Sequence, residues 1–269
     1  METEFKDKVV IVTGANNPQG IGAATALAFA GAGACVVLVY QKIARPYDES
    51  KTGANGPDRY YKANAGDAAA AEEKLRALNA RYLVLEKDIS DEAQVKEIFD
   101  AAEKRFGGAD ILVNNAAADD ETGRDTAQTV TRDVIDGVFA VNVRGSLLMT
   151  AEFVRRRRGP GRVIFISTDA AQVFPGQITY GASKAALEAL TRSIALETAR
   201  YGITVNCVAP GPTQTGWIDE ALERLVVPQI PMGRLVQPEE IANAILFLAG
   251  ERAGMITGQV IKVSGGHAL

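Results

Sequence analysis

Histidine occurs once in this sequence, at His267, and cysteine twice, at Cys35 and Cys207. One histidine leaves little from which to build a Ser-His-Asp relay, which weighs against a hydrolase of that kind. His267 itself reads as an exposed residue or as a tail contact across a subunit interface. Two isolated cysteines in apolar, strand-like runs give neither a disulfide framework nor the spacing of a metal site. Basic charge is not in excess: 29 Lys and Arg stand against 33 Asp and Glu, a net charge of −4, so nothing draws the chain to nucleic-acid phosphates. The one basic run, 155–158, closes a helical pattern just before Gly159-Pro160 and reads as a solvated helix terminus. No uncharged apolar run approaches the length of a membrane span, and the opening METEFKDK lacks the apolar core of a signal peptide. The expectation is a soluble cytoplasmic protein with no nucleic-acid, membrane or metal partner.

What is present is an apolar fraction of 47%, ample for a packed core. Short β-branched runs at 9–13, 34–40, 82–87, 111–115, 163–167, 204–208 and 260–263 alternate with helical patterns at 20–32, 67–80, 91–106, 131–158, 180–200 and 238–249. That alternation predicts an α/β fold, a parallel sheet with helices on both faces. The strands are apolar nearly throughout, as two covered faces require. No repeat or change of composition divides the chain, so residues 1–269 read as one domain. Two segments break the rhythm: a polar stretch at 41–66, long for a connection, and a proline-interrupted stretch at 210–238 that reads as a substrate lid.

The first strand runs into TGANNPQGIG. A glycine loop between a strand and a helix makes an anion site, because backbone N–H groups and the helix dipole point at a pyrophosphate. Gly14 makes the turn out of the strand, and Gly20 and Gly22 open the helix with Ile21. The five residues between Gly14 and Gly20 exceed the usual spacing, and Asn16 lies within the extra length. The second strand ends Tyr40-Gln41-Lys42, with no carboxylate to bind a ribose 2′-hydroxyl. Lys42 and Arg45 stand there instead and suit a 2′-phosphate, which favours NADP(H) over NAD(H).

Tyr180 and Lys184 are four residues apart on a helical pattern and share one face. A nearby ammonium lowers a phenol's pKa, which suits acid–base work. Counting back thirteen residues from Tyr180 selects Ser167 as a hydroxyl at a strand end; counting forward from the strand start also allows Thr168.

Read in order, Thr13-Gly14 with Gly20-Ile21-Gly22, Asp88-Ile89, Asn114-Asn115-Ala116-Ala117, Asn142, Ser167, Tyr180 with Lys184, and Pro210-Gly211 resemble the short-chain dehydrogenase/reductase family along essentially the whole chain. Within it the chain looks most like the 3-oxoacyl-carrier-protein reductase branch. The resemblance implies a Rossmann-type doubly wound sheet of seven parallel strands. It also implies a catalytic tetrad of Asn142, Ser167, Tyr180 and Lys184. Tyr180 would exchange a proton with the substrate oxygen, and Lys184 would lower its pKa and bind the nicotinamide ribose. Ser167 would orient the carbonyl, and Asn142 would hold a relay water. Asp88 and Ile89 resemble the adenine pair. Asn115, Ala116 and Ala117 would border the cofactor. Thr213 and Thr215 resemble its nicotinamide and phosphate contacts. The longer glycine loop, Ala117 in place of a glycine, and the enlarged 41–66 segment depart from the family pattern. Enoyl reductase relatives space their tyrosine and lysine seven apart, so the spacing here points to carbonyl–alcohol chemistry. The implied protein is an NADP(H)-dependent ketone or 3-oxoacyl reductase acting on a small molecule as a homotetramer. An NAD-dependent sugar or polyol dehydrogenase, or a non-catalytic nucleotide-sensing protein, are the alternatives.

Overall fold

A computed structural model describes residues 4–119, 125–157 and 159–268. Seven strands form one parallel sheet: β1 (Val9–Thr13), β2 (Cys35–Tyr40), β3 (Arg81–Glu86), β4 (Ile111–Asn114), β5 (Gly161–Ile166), β6 (Ile203–Pro210) and β7 (Val260–Val263). Their order is β3-β2-β1-β4-β5-β6-β7. The chain winds outward one way from β1 and the other way from β4. Crossovers therefore leave in opposite directions at the β1/β4 boundary and open a crevice at the carboxyl ends of these strands.

Side chains alternate across the strands and sort the core into two layers. Val10 and Val12 face α1 (Ile21–Gly31), with Ala23, Ala26 and Phe29. Val9 and Ile11 point the other way into a second cluster, built with Val37, Leu112 and Phe165. The helices after β2 are α2 (Pro57–Ala65) and α3 (Ala69–Ala77), and α4 (Glu92–Phe106) follows β3. Beyond β4 come α5 (Arg132–Phe139), α6 (Ser146–Arg156) and α7 (Ile178–Thr198), then α8 (Glu220–Val226) and α9 (Pro238–Ala249). Leu75 of α3 and Ile241, Ile245 and Leu248 of α9 join the first layer. Ile98 and Phe99 of α4, Met149 and Phe153 of α6, and Leu187 of α7 join the second. A fully buried side chain of this size contributes roughly 1.5–3 kcal/mol.

Three sequence expectations change. The helical pattern at 131–158 is broken by a π-helical turn, Ala140–Gly145, between α5 and α6. Such a turn takes in one extra residue and is frequent at functional sites. The run 132–156 is also long and apolar enough, by length and composition, to cross a membrane. In this fold Met149, Thr150 and Phe153 of that run are buried instead. The segment 41–66 is not a plain loop, because it contains α2. Pro57 stands in the first turn of that helix, where its missing N–H costs nothing. The basic run at 155–157 is not merely solvated. Arg156 binds Asp100 at 2.6 Å and Glu152 at 2.6 Å, and Arg157 binds Asp110 at 2.9 Å. Arg158 lies outside the described residues.

Candidate active site

The β1/β4 crevice is built by backbone proximity. Gly14 has φ +69°, and a Cβ there would stand 2.6 Å from Ala116 Cα. A Cβ on Gly22 would fall 2.4 Å from the Gly14 carbonyl oxygen and 2.6 Å from Asn115 Nδ2. Asn115 Nδ2 donates to the carbonyls of Thr13 and Gly14 at 2.8 and 2.9 Å. The Thr13 hydroxyl in turn accepts from the backbone N–H groups of Asn115 and Ala116, both at 3.0 Å. The first turn of α1 has neither a side-chain cap nor an acidic residue, and Gly20 and Ile21 at its start face the cleft. Open N–H groups at a helix N-terminus suit an anion. These residues therefore fit the pyrophosphate of a dinucleotide. Gly14, Asn16, Asn115, Ala116 and Ala117 line the same cleft, whereas Gly22 supports it from below.

The extra residues of the glycine loop are held on two sides. Asn16 Nδ2 donates to the carbonyls of Asn64 and Gly66 at 3.1 and 3.0 Å. Gln19 Oε1 accepts from Arg59 Nε at 2.7 Å. On the other side Asn17 Nδ2 donates to the Thr215 carbonyl at 3.1 Å. Tyr40, Gln41 and Ile89 line the cleft, but Lys42 and Asp88 do not. Lys42 pairs with Glu86 at 3.0 Å with both side chains about half exposed. The Asp88 carboxylate accepts from Ser90 N at 2.8 Å. Arg45, expected beside a 2′-phosphate, is bound to Asp119 at 2.6 Å and lies over the Tyr61 ring. Arg45 is therefore held by an acid of the segment after β4, and of the two expected cations only Lys42 stays beside the end of β2.

At the other end of the cleft, α7 presents Tyr180 and Lys184 one turn apart, as the spacing predicts. Lys184 is buried, with Nζ donating to the Ile166 carbonyl at 2.9 Å and standing 5.4 Å from the centre of the Tyr180 ring. Burial pulls its ammonium down to about 8. The Tyr180 phenol moves against expectation. Burial, with Asp119 and Tyr60 nearby, holds it well above its ordinary value. Desolvation of the phenolate is the larger cause, and it favours the neutral phenol.

Ser167, the residue that the sequence count selects, lines the cleft together with Tyr180 and Lys184. Its hydroxyl donates to Glu188 Oε1 at 2.9 Å and is 3.3 Å from the Lys184 carbonyl oxygen, inside the core. Thr168 is half-buried, lines the cleft with Tyr180 and Lys184, and its hydroxyl has no hydrogen-bond partner among the described residues. Both residues line the cleft, and the Ser167 hydroxyl is the one already engaged inside the core. Asn142 is fully buried in the π-turn. Its Nδ2 donates to the Ala118 carbonyl and to Ser183 Oγ, both at 2.9 Å, and its Oδ1 accepts from Ala118 N at 2.7 Å. Its side chain therefore ties α7 to the segment after β4. Pro210, Gly211, Thr213 and Thr215 line the far wall.

Sequence reasoning missed two residues here. Asp125 is buried, and its Oδ2 accepts from Thr179 N at 2.7 Å, capping α7 one residue before Tyr180. It lies 55 residues away in the chain from Tyr180, beyond the reach of any local capping pattern. Tyr60 of α2 lines the cleft, and no motif marks it. His267 is not a free tail residue either. Its Nδ1 stands 2.9 Å from Asp169 Oδ2, next to Thr168.

A family profile described as "Enoyl-(Acyl carrier protein) reductase" matches residues 14–268. A "Short-chain type dehydrogenase/reductase" of Picea abies is 36% identical over 97% of this chain and 92% of its own length. The "Glucose 1-dehydrogenase" of Gluconobacter oxydans is 36% identical over 98% and 93%. "NADPH-dependent aldehyde reductase 2, chloroplastic" of Arabidopsis thaliana is 35% identical over 97% and 94%. Among solved structures, the short-chain dehydrogenase/reductase from Serratia marcescens superposes with a TM-score of 0.82 at 31% identity, covering 99% of this chain and all of that one. A blue fluorescent protein from a metagenomic library, in complex with NADPH, gives 0.82 at 29% with the same coverage. With the strand order, the glycine cradle and the Tyr180–Lys184 pair, these matches place the chain in the short-chain dehydrogenase/reductase family of oxidoreductases.

Proposed function

We propose that this protein reduces aldehydes or ketones with NADPH, and in the reverse direction oxidises the corresponding primary or secondary alcohols. The observation that carries the reading is that Tyr180, Lys184 and a Thr168 hydroxyl without a partner among the described residues line one cleft. The dinucleotide supplies the hydride when bound. Thr168 donates a hydrogen bond to the carbonyl oxygen and fixes its direction. Tyr180 Oη then gives that oxygen its proton. Lys184 places a positive charge beside the phenolate left behind and favours its formation in the transition state. The segment 210–238 closes the far side as a lid.

For the dinucleotide, a 2′-phosphate is favoured by the lack of a carboxylate in Tyr40-Gln41-Lys42, with Lys42 leaving its Glu86 partner to meet it. The names of the Arabidopsis relative and of the NADPH complex support the same choice. A homotetramer is part of the proposal. Ile135, Leu147 and Leu196, large and exposed on α5, α6 and α7, suit a covered face.

A panel of aldehydes, ketones, 3-oxoacyl thioesters and sugars, assayed by absorbance with NADPH and NADH, tests the reading. Tyr180→Phe should lower turnover by roughly 10²–10⁴-fold, the range of a general acid. Turnover confined to sugars with NAD would favour the glucose dehydrogenase relative as the guide. Saturation of an enoyl thioester double bond, with carbonyls untouched, would replace carbonyl reduction altogether.

A further inference from the structure

The segment 41–66 supplies no group to the hydride or proton transfer just described, yet it is fixed over the cleft from three directions. At the glycine loop, Asn16 and Gln19 bind Asn64, Gly66 and Arg59. At the lid, Gly56 N donates to the Gly216 carbonyl at 2.8 Å. The rings of Tyr60 and Tyr61 there meet Trp217 edge-on, with centroids 5.4 and 5.7 Å apart. At the segment after β4, Arg45 binds Asp119 and covers the Tyr61 ring. A surface insertion would need none of these ties. Together they hold α2 so that Tyr60 lines the cleft that Tyr180, Lys184 and Thr168 also line. Tyr60 is also near enough to the Tyr180 phenol to help raise its pKa.

We propose that Tyr60 is a specificity-determining residue, the wall through which the 41–66 segment limits the bulk of the groups flanking the substrate carbonyl. The site then takes compact aldehydes and ketones and disfavours long acyl or bulky aryl ones. Trp217 stands against Tyr60 and keeps its ring from swinging out of the way, so a larger substrate has to displace an aromatic cluster rather than one side chain. The inference rests on the carbonyl-reductase reading and narrows its substrate class.

The test is a size series of aldehydes and methyl ketones assayed on the intact protein and on Tyr60→Ala, Tyr60→Leu and Tyr60→Phe. Tyr60→Ala should raise the ratio of kcat/KM for bulky over compact substrates by about tenfold or more, the scale on which pocket volume discriminates. Tyr60→Leu should move the ratio the same way by less, so a poorly folded alanine variant does not decide the matter. Tyr60→Phe keeps the shape and should keep the ratio. Dinucleotide binding, followed through the single tryptophan, Trp217, should keep its dissociation constant in all three variants. An unchanged ratio in both Tyr60→Ala and Tyr60→Leu overturns the proposal. So does a shifted dinucleotide affinity with an unshifted ratio, which would turn Tyr60 toward the cofactor. If the unmodified protein reduces no carbonyl in the series while binding NADPH, the parent reading fails and this one falls with it.

Discussion

Two adjacent hydroxyls, Ser167 and Thr168, divide the work between core and cleft. Thr168→Ala should lower kcat/KM for carbonyl reduction roughly 10²–10³-fold, as loss of one donor to a developing oxyanion does, with little change in melting temperature. Ser167→Ala should do the reverse. It leaves the buried Glu188 carboxylate without its hydrogen bond, which costs about 1–3 kcal/mol of stability, and spares the chemistry. Steady-state kinetics and thermal melts of the two variants separate the roles. Lys184 gives a second pair of expectations. Its ammonium is lowered from 10.5 to about 8 by burial, so the unfolded chain holds more protons between those values. The penalty for burying the charge is thus fully present below about pH 8, and stability rises with pH from there to 10.5. Lys184→Met should therefore melt higher than the unmodified protein at neutral pH, with the advantage shrinking toward pH 10.5, while activity is lost. Thermal melts across that range check it. That Tyr180 and Lys184 share a face was legible because a helix fixes the phase of residues four apart, but their role was legible only beside the other motifs. The serine–threonine choice was not legible, because both residues line the cleft and only the partner of the Ser167 hydroxyl tells them apart.

At the scale of elements, the catalytic helix is held by parts with no local signature. Asp125 caps α7 just ahead of Tyr180, and Asn142 ties the π-turn to Ser183 on the same helix. Asp125→Ala should cost about 1 kcal/mol, the usual worth of a helix cap. It should also lower kcat more than it raises KM, because Tyr180 loses its fixed position. Asp125→Asn, which can still cap, should recover most of the loss. Kinetics with melting curves decide between positioning and simple destabilisation. The strands were legible as short, β-branched apolar runs bounded by turns, and the other long helices as the longer patterns between them. Helix α2 reads as polar loop in the sequence although Gly56-Pro57 marks its start. Its ring contacts go to Trp217 in a distant segment, and its composition is polar with none of its residues fully buried.

Across the whole molecule, the alternation of strands and helices predicted the parallel sheet, and seven strands in the order β3-β2-β1-β4-β5-β6-β7 carry it. What sequence did not give was the convergence of 41–66, the glycine loop and the lid over one cleft, because those contacts join residues up to about 200 positions apart. The same topology has a cost in time. Val10 lies beside Val36 on one side and Ile111 on the other. During synthesis at about 5–20 residues per second, β1 waits on the order of 5–20 s for its second neighbour. Through that interval an edge of valine and isoleucine stands open, with the glycine loop beside it and no β4 to shape it. A fragment ending at residue 110 should accordingly be insoluble or bind a hydrophobic dye, and a soluble, fully folded fragment would show that β1 needs no second partner. Chaperones that shelter the half-made sheet should therefore raise the yield of folded protein in cells, and an equal yield with and without their overproduction would show that the open edge does no harm.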